Sequence, residues 1–239
     1  MFLPDNIRVL MDRLEKAGYR AYAVGGSVRD SLMGQSADDY DITTTALPSE
    51  IKKVFSDYRT IDIGEKHGTI TVISGGSPVE ITTHRLDGSY SDSRHPDQVI
   101  FTDSILADLA RRDFTVNAIA FSQSEGLVDP YNGCADIQNK IIRCVGDPAL
   151  RFSEDALRIM RALRFASVLG FTIAPETEKA IFRLKENLHK VSAERLQKEM
   201  MKLLRGKNAG KVLFSYGEVI FELFPSLRAE YRHPQIGKK

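Results

Sequence analysis

"AYAVGGSVRDSLMGQSADDYDITTT", residues 21–45, holds the transitions that decide the fold. It opens as an apolar strand, turns at Gly25-Gly26-Ser27, and enters a helix at once. Asp38, Asp39 and Asp41 then crowd around Tyr40, before Ile42 and three threonines. In an extended chain, residues i and i+2 share a side. Asp39 and Asp41 therefore project together, with Tyr40 and Ile42 turned toward the core; Asp38 is out of phase and stays with the turn. Side-by-side carboxylates repel and raise each other's pKa unless a cation lies between them. Hard oxygen donors suit Mg²⁺, which keeps waters and accepts substrate phosphate oxygens. A D-x-D taken alone reads equally as an Asp-rich turn. The glycine turn has its own two readings. One is a plain tight turn. The other is a phosphate cradle, in which glycines let backbone N–H groups approach an anion, the helix N-terminus adds positive potential, and Arg29 offers a bidentate fork. The pattern is neither a Walker A loop nor G-x-G-x-x-G.

The rest of the chain sets the class. The 239 residues suffice for one large or two small domains, and 42% hydrophobic with 27% charged residues is ordinary for a soluble globular protein. No apolar run approaches the ~18 residues of a membrane helix, so no membrane partner is expected. "MFLPDNIRVLMDRLEKAGY" reads as an amphipathic helix rather than a leader. Cys134 and Cys144 have no metal-ligand spacing, and two cysteines make no disulfide scaffold. A reducing cytoplasm is the simplest setting. The net charge of +1 says little, but residues 183–211 carry nine Lys/Arg against three Glu. That run fits either a nucleic-acid backbone or a solvated helical face.

The organisation changes near residue 145. Before it, short β-rich runs ("AYAVGG", "YDITT", "GTITVISGG", "SPVEITTHR", "NAIAFS", "KIIRCVG") alternate with helical patterns at about 5–17, 27–33, 48–55 and 104–111. "GTITVI" and "VEITT", joined by "SGGSP", predict a hairpin. After residue 150 the pattern is helical: Ser153 is placed to cap a helix over 154–169 that Gly170 ends, and Ser192 one over 193–205 that Gly206 ends. The fold class is α+β, an α+β head of 1–145 followed by an all-helical segment, 146–239. The polar stretch 85–98 reads as a long functional loop.

"GGSVRDSLMG" followed by "DYDITT" resembles the head of class II nucleotidyltransferases, the CCA-adding enzymes and bacterial poly(A) polymerases of the polymerase-β-like superfamily. "RRDFTVNAIAF", "LVDPYNGCADIQNKII", "RFSEDALRIMRALRF" and "SAERLQKEMMKLL" resemble family segments in family order, over roughly 18–225. The resemblance implies a mixed β-sheet head with flanking helices, then a helical neck and partial body. It implies that Asp39 and Asp41 bind Mg²⁺ as catalytic acids. It implies that Gly25, Gly26, Ser27, Arg29, Arg111, Arg112, Asp113 and Asn117 bind the sugar and phosphates of the incoming nucleotide. Glu80 stands where the superfamily often has a third acid; the competing reading is an exposed strand glutamate. Asp155, Arg158 and Arg161, three apart, would share a helix ridge. Asp155 accepts and Arg158 donates, which complements cytosine and adenine, each with an amino donor beside a ring-nitrogen acceptor. Uracil and guanine lose both bonds. Glu154 belongs to the first-turn acids or orients Arg158; Arg161 and Arg164 brace the pair or touch phosphate.

The activity so implied is template-independent transfer from CTP and ATP to the tRNA 3′ end, with RNA and not DNA as partner. Poly(A) polymerase, CC-adding and A-adding activities share most of these motifs, and a non-catalytic nucleotide- or RNA-binding module stands as a different class. Oligomeric state is not legible in the sequence.

Overall fold

The computed structural model describes residues 3–37, 39–88 and 99–229. Asp38 and residues 89–98 of the polar stretch lie outside the described residues. Two compact units comprise residues 1–147 and 148–239.

In the first unit α1 spans Asp5–Lys16, and Ile7, Leu10, Met11 and Leu14 bury its apolar stripe. Then come β1 (Ala21–Val24), α2 (Gly26–Leu32), β2 (Asp41–Thr44), α3 (Pro48–Val54), β3 (Thr60–Ile61), β4 (Thr69–Ser74) and β5 (Ser77–Thr83). The series continues with β6 (Arg85–Asp87), β7 (Val99–Phe101), α4 (Ile105–Ala110), β8 (Ala120–Ser122), β9 (Gly126–Val128), α5 (Gly133–Asn139) and β10 (Ile141–Ile142). Seven strands form one mixed sheet in the order β3-β4-β5-β2-β1-β8-β9. β1 lies inside it, antiparallel to β2 and β8, and all four of its residues are buried. That explains why "AYAV" reads as an unbroken apolar run. β4 alternates as expected, burying Ile70 and Val72. Its hairpin to β5 turns at Gly75-Gly76, with φ of 59° and 81°. A two-residue turn with both φ positive is the glycine-demanding kind that matches strand twist.

β2 and β5 run parallel, and their register sets Asp41 opposite Glu80 and Ile42 opposite Ile81. Under the sheet, Tyr22, Val24, Ile105, Leu109, Ala118, Ala120 and Val145 form one buried cluster. It clamps α4 and the segment before β8 to β1, which positions the arginines that leave α4.

The second unit is helical: α6 (Pro148–Glu154), α7 (Leu157–Leu169), α8 (Pro175–Leu184), α9 (Ala193–Leu204), α10 (Ala209–Ser215) and α11 (Gly217–Leu223), with a two-residue extended stretch at Thr172–Ile173. The helix expected over 154–169 starts three residues later, as α7, and a separate helix, α6, precedes it. Ser153 lies within α6, where its hydroxyl donates to the Ala149 carbonyl at 2.8 Å. The chain breaks at Asp155–Ala156, and Asp155 Oδ1 accepts the Leu157 N–H at 3.1 Å. A short polar side chain that bonds the backbone two residues on competes with helix continuation, so the acid rather than the serine starts α7. Gly170 ends α7 in the left-handed conformation, as expected. Ser192 precedes α9 without a side-chain cap bond.

Gly206 serves packing rather than capping. A Cβ there would lie 2.2 Å from Ser167 Oγ and 2.7 Å from the Ser167 carbonyl carbon. Ser167 is fully buried, and its hydroxyl donates to the Leu203 carbonyl at 2.7 Å. Gly206→Ala must therefore push α7 and α9 apart. Overpacking of this kind costs about 1–3 kcal/mol. The expected result in differential scanning calorimetry is a lower unfolding temperature for the helical unit, by roughly 4–8 °C per kcal/mol. An unchanged trace would contradict the packing.

Among the described residues no helix is long and apolar enough to cross a membrane.

Candidate active site

β1 leads into Gly25, which has φ 77° and ψ −134°, a region open essentially to glycine alone. Its N–H donates to the Ile119 carbonyl at 3.3 Å. The buried Ser27 hydroxyl donates back to the Val24 carbonyl at 3.2 Å, so it builds the turn rather than facing outward. A Cβ on Gly25 would lie 3.3 Å from Arg112 Nη1, and one on Gly26 3.5 Å from Arg29 Nη2. The glycines thus leave room for two guanidinium groups against the turn.

Arg29 is mostly buried. Its Nη1 donates to Asn117 Oδ1 at 2.7 Å and its Nε to Asp30 Oδ1 at 2.8 Å. Asn117 Nδ2 donates to Asp113 Oδ1 at 3.2 Å, and the same oxygen accepts the Phe114 N–H at 2.8 Å. The Arg29 bond fixes which end of the Asn117 amide is oxygen. Sequence distance had separated these residues by up to 88 positions; the sheet gathers them, through a 3₁₀ turn at Thr115–Asn117. Arg29 braces this chain of bonds instead of presenting a bare fork.

Arg111 and Arg112 leave α4 and turn back onto Asp108, which sequence reasoning missed. Asp108 Oδ1 accepts from Arg111 Nε and Nη2 at 3.0 and 2.7 Å, and Oδ2 from Arg112 Nη2 at 3.1 Å. Desolvation opposes ionisation of the carboxyl, but the two arginines outweigh it and hold its pKa at about 2. An acid three and four residues before an Arg-Arg pair was the available signal.

β2 begins at Asp41; Asp39 and Tyr40 precede it in irregular backbone, so the extended stretch is shorter than expected. Ile42 points into the core at 0% exposure, whereas Asp39, Asp41 and Glu80 are exposed. Asp41 touches solvent yet is closely ringed by protein. Partial desolvation and then Glu80 push its pKa up to about 6, Asp39 adds to this, and Arg112 opposes it.

In the helical unit Asp155 is gripped by Arg195, whose Nη1 and Nη2 donate to Oδ1 and Oδ2 at 3.3 and 2.7 Å. Arg158 Nη1 donates to Glu154 Oε2 at 2.6 Å and to the Arg151 carbonyl at 3.2 Å. Glu154 thus orients Arg158, one of the two roles expected for it. The shared ridge is corrected: Asp155 stands at the break before α7, and Arg158 lies on α7. Arg164 Nε lies 3.0 Å from Glu199 Oε2, and its guanidinium sits 4.0 Å from the Phe165 ring centroid, with Arg161 at 5.5 Å. These two arginines brace α7 through the same ring. Arg195 was visible in the sequence only as part of the basic run. In that run Lys190, Lys198, Lys202, Arg205, Lys207 and Lys211 are exposed.

A family model described as "Poly A polymerase head domain" matches residues 21–143, just over half of the chain. The chain belongs to this family of class II nucleotidyltransferases. A second model, "Probable RNA and SrmB- binding site of polymerase A", matches residues 170–227. The CCA-adding enzyme of Levilactobacillus brevis is 50% identical over 200 residues, 84% of this chain and 50% of that one. The crystal structure of the Bacillus stearothermophilus CCA-adding enzyme in complex with CTP superposes with a TM-score of 0.80 at 43% identity, covering 89% of this chain and 52% of that one. The Thermotoga maritima CCA-adding enzyme complexed with tRNA-CCA gives 0.78 at 28% identity, over 95% and 53%. The chain spans about half the length of the curated relatives it matches.

Polymerase-β-like nucleotidyltransferases typically use divalent metals. The donor set of this class II head fits one. Asp39 and Asp41 supply hard oxygens, and the Asp41 pKa is raised first by desolvation and then by the like charge of Glu80 and Asp39, which a cation would relieve. Among the described residues no three His, Cys, Asp or Glu side chains converge into a metal-holding group. Glu80 shares the register of Asp41 and acts on it through its charge. Such a site leaves coordination positions for water and phosphate oxygens, the arrangement Mg²⁺ favours. The Cys134 thiol is pushed up to about 11 by burial and by Asp129, which disfavours the reactive thiolate.

Proposed function

We propose that this chain carries template-independent CTP/ATP:tRNA nucleotidyl transfer, building or repairing the 3′-CCA end. The observation that carries the reading is the exposed Asp39/Asp41 pair, with Arg112 acting on Asp41 while resting against the Gly25 turn. Further support comes from relatives named as CCA-adding enzymes that match most of this chain.

Asp39 and Asp41 would hold Mg²⁺. When bound, the metal supplies a lowered pKa for the RNA 3′-hydroxyl and neutralises charge on the triphosphate and the leaving pyrophosphate. Arg111 and Arg112 attract the triphosphate, while Gly25 and Gly26 leave the turn open to it. Asp113 and Asn117, tied together, meet the sugar. Asp155 accepts from the exocyclic amino group of cytosine or adenine, and Arg158 donates to the adjacent ring nitrogen. Their rigid clamps, Arg195 and Glu154, let the protein choose the base without a template. The exposed basic residues of 183–211 contribute a salt-dependent attraction for tRNA, and the reducing cytoplasm is the setting.

The test is the product formed on tRNA lacking CCA, with CTP and ATP supplied separately and together. The expected product is two cytidines followed by one adenosine. Long A-tails without C incorporation would move the reading to poly(A) polymerase; C alone or A alone would move it to a CC-adding or A-adding enzyme.

A further inference from the structure

Asp108 is the most deeply buried carboxylate among the described residues, at 0% exposure. Burying a carboxylate is costly unless it is paired, and removing one partner of such a pair leaves an uncompensated charge. Here the partners are two successive arginines that repel each other and, if unheld, would spread into solvent with full rotamer freedom. Asp108 binds Arg111 through Nε and Nη2 on one oxygen and Arg112 through Nη2 on the other. The Arg85 N–H adds a longer bond to Oδ1 at 3.3 Å. Both arginine side chains are held down to 18% and 19% exposure. One negative and two positive charges leave the trio with one net positive charge. Arg112 is the outlet for that charge: its Nη1 stands over Gly25, it attracts Asp41, and its buried Nε–H has no hydrogen-bond partner.

We propose that Asp108 is a positioning residue that fixes the Arg111/Arg112 pair, and through Arg112 the guanidinium face above Gly25, as a preformed receptor for the nucleotide triphosphate. The inference rests on the proposed function, since it takes this face to meet phosphate. Preorganised donors cost no rearrangement when the anion arrives, and a misplacement of about 1 Å in such a group costs on the order of 10²-fold. A purely structural ion pair anchoring α4 would stabilise the fold equally but would not distinguish phosphorylated from unphosphorylated ligands.

The experiment uses the full chain and four variants: Asp108→Asn, Asp108→Glu, Arg112→Ala, and Asp108→Asn combined with Arg112→Ala. Thermal unfolding, CTP and cytidine affinities, and KM and kcat for CTP are measured on each. Expected for Asp108→Asn is a roughly 10²-fold loss in kcat/KM, carried mainly by KM. CTP affinity should fall while cytidine affinity holds. Asp108→Glu should recover part of the loss, and the double variant should lose little beyond Arg112→Ala alone. A folded Asp108→Asn with unchanged CTP affinity would overturn the inference. So would equal losses for CTP and cytidine, or a failure of both Asp108→Asn and Asp108→Glu to fold, since the carboxylate would then serve the core. If Arg112→Ala loses CTP affinity and Asp108→Asn does not, only this inference falls. If the unmodified chain binds no CTP, the proposed function falls, and the inference falls with it.

Discussion

Replacing Asp39 and Asp41 with alanine is expected to lower CTP and ATP incorporation by about 10³-fold or more. The proposed metal-assisted transfer would draw several kcal/mol of transition-state stabilisation from the bound ion, and each 1.36 kcal/mol is tenfold in rate. The fold should not suffer. Asp41 has a folded-state pKa raised to about 6, so its ionised form opposes folding at neutral pH. The sign is thus opposite to that of a paired structural carboxylate: above its folded pKa, removing the charge leaves the unfolding temperature unchanged or higher. The buried Ile42 still anchors the segment. The check is primer extension on tRNA lacking CCA, beside thermal unfolding in EDTA. Unchanged incorporation would refute the metal assignment. A lowered unfolding temperature in EDTA would mean that the acids serve the fold.

Asp155→Asn is expected to collapse base selection. A site built to hydrogen-bond its substrate rejects a mismatch by about 10⁴–10⁵, because its polar groups would otherwise stay unpaired. With the acceptor converted to an amide, preference for CTP over UTP and for ATP over GTP should fall to about 10² or less. Asparagine keeps an oxygen for the Leu157 N–H, so α7 can still begin at its present residue. Arg195 loses its charged partner but keeps that acceptor, so the cost in stability stays near 1 kcal/mol. kcat/KM for all four nucleotides is the measurement. A uniform loss across CTP, ATP, UTP and GTP would assign Asp155 to scaffolding and remove it from base reading.

These predictions mix residues of two kinds. Asp39, Asp41, Asp155 and Arg158 stood out in the sequence by spacing, as carboxylates two apart and an acid and an arginine three apart, while the roles of Asp39, Asp41, Arg111 and Arg112 came from the resemblance of their motifs. Asp108 and Arg195 were not named from the sequence, although Asp108 holds Arg111 and Arg112 and Arg195 holds Asp155. Their partners are set by burial and by docking of helices, and an aspartate on a short helix or an arginine in a basic run looks the same in sequence whatever it faces. Ser153 illustrates the reverse error. Its position before a helical pattern invited a capping role, yet Asp155 bonds the Leu157 N–H and the helix begins after it.

The α+β head, the later helices and the Gly75-Gly76 hairpin were legible along the chain, and the proposed class of chemistry through the resemblance of its motifs. Periodicity, turn residues and paired charges are properties of neighbouring positions. Folding alone sets Glu80 in register with Asp41, ties Arg29 to Asn117 and through it to Asp113, and stands Arg112 over Gly25. A parallel strand pair brings distant residues into register, and a missing Cβ matters only through what approaches it. Strand order and side-chain burial fix both, and neither is written in any single stretch of the chain.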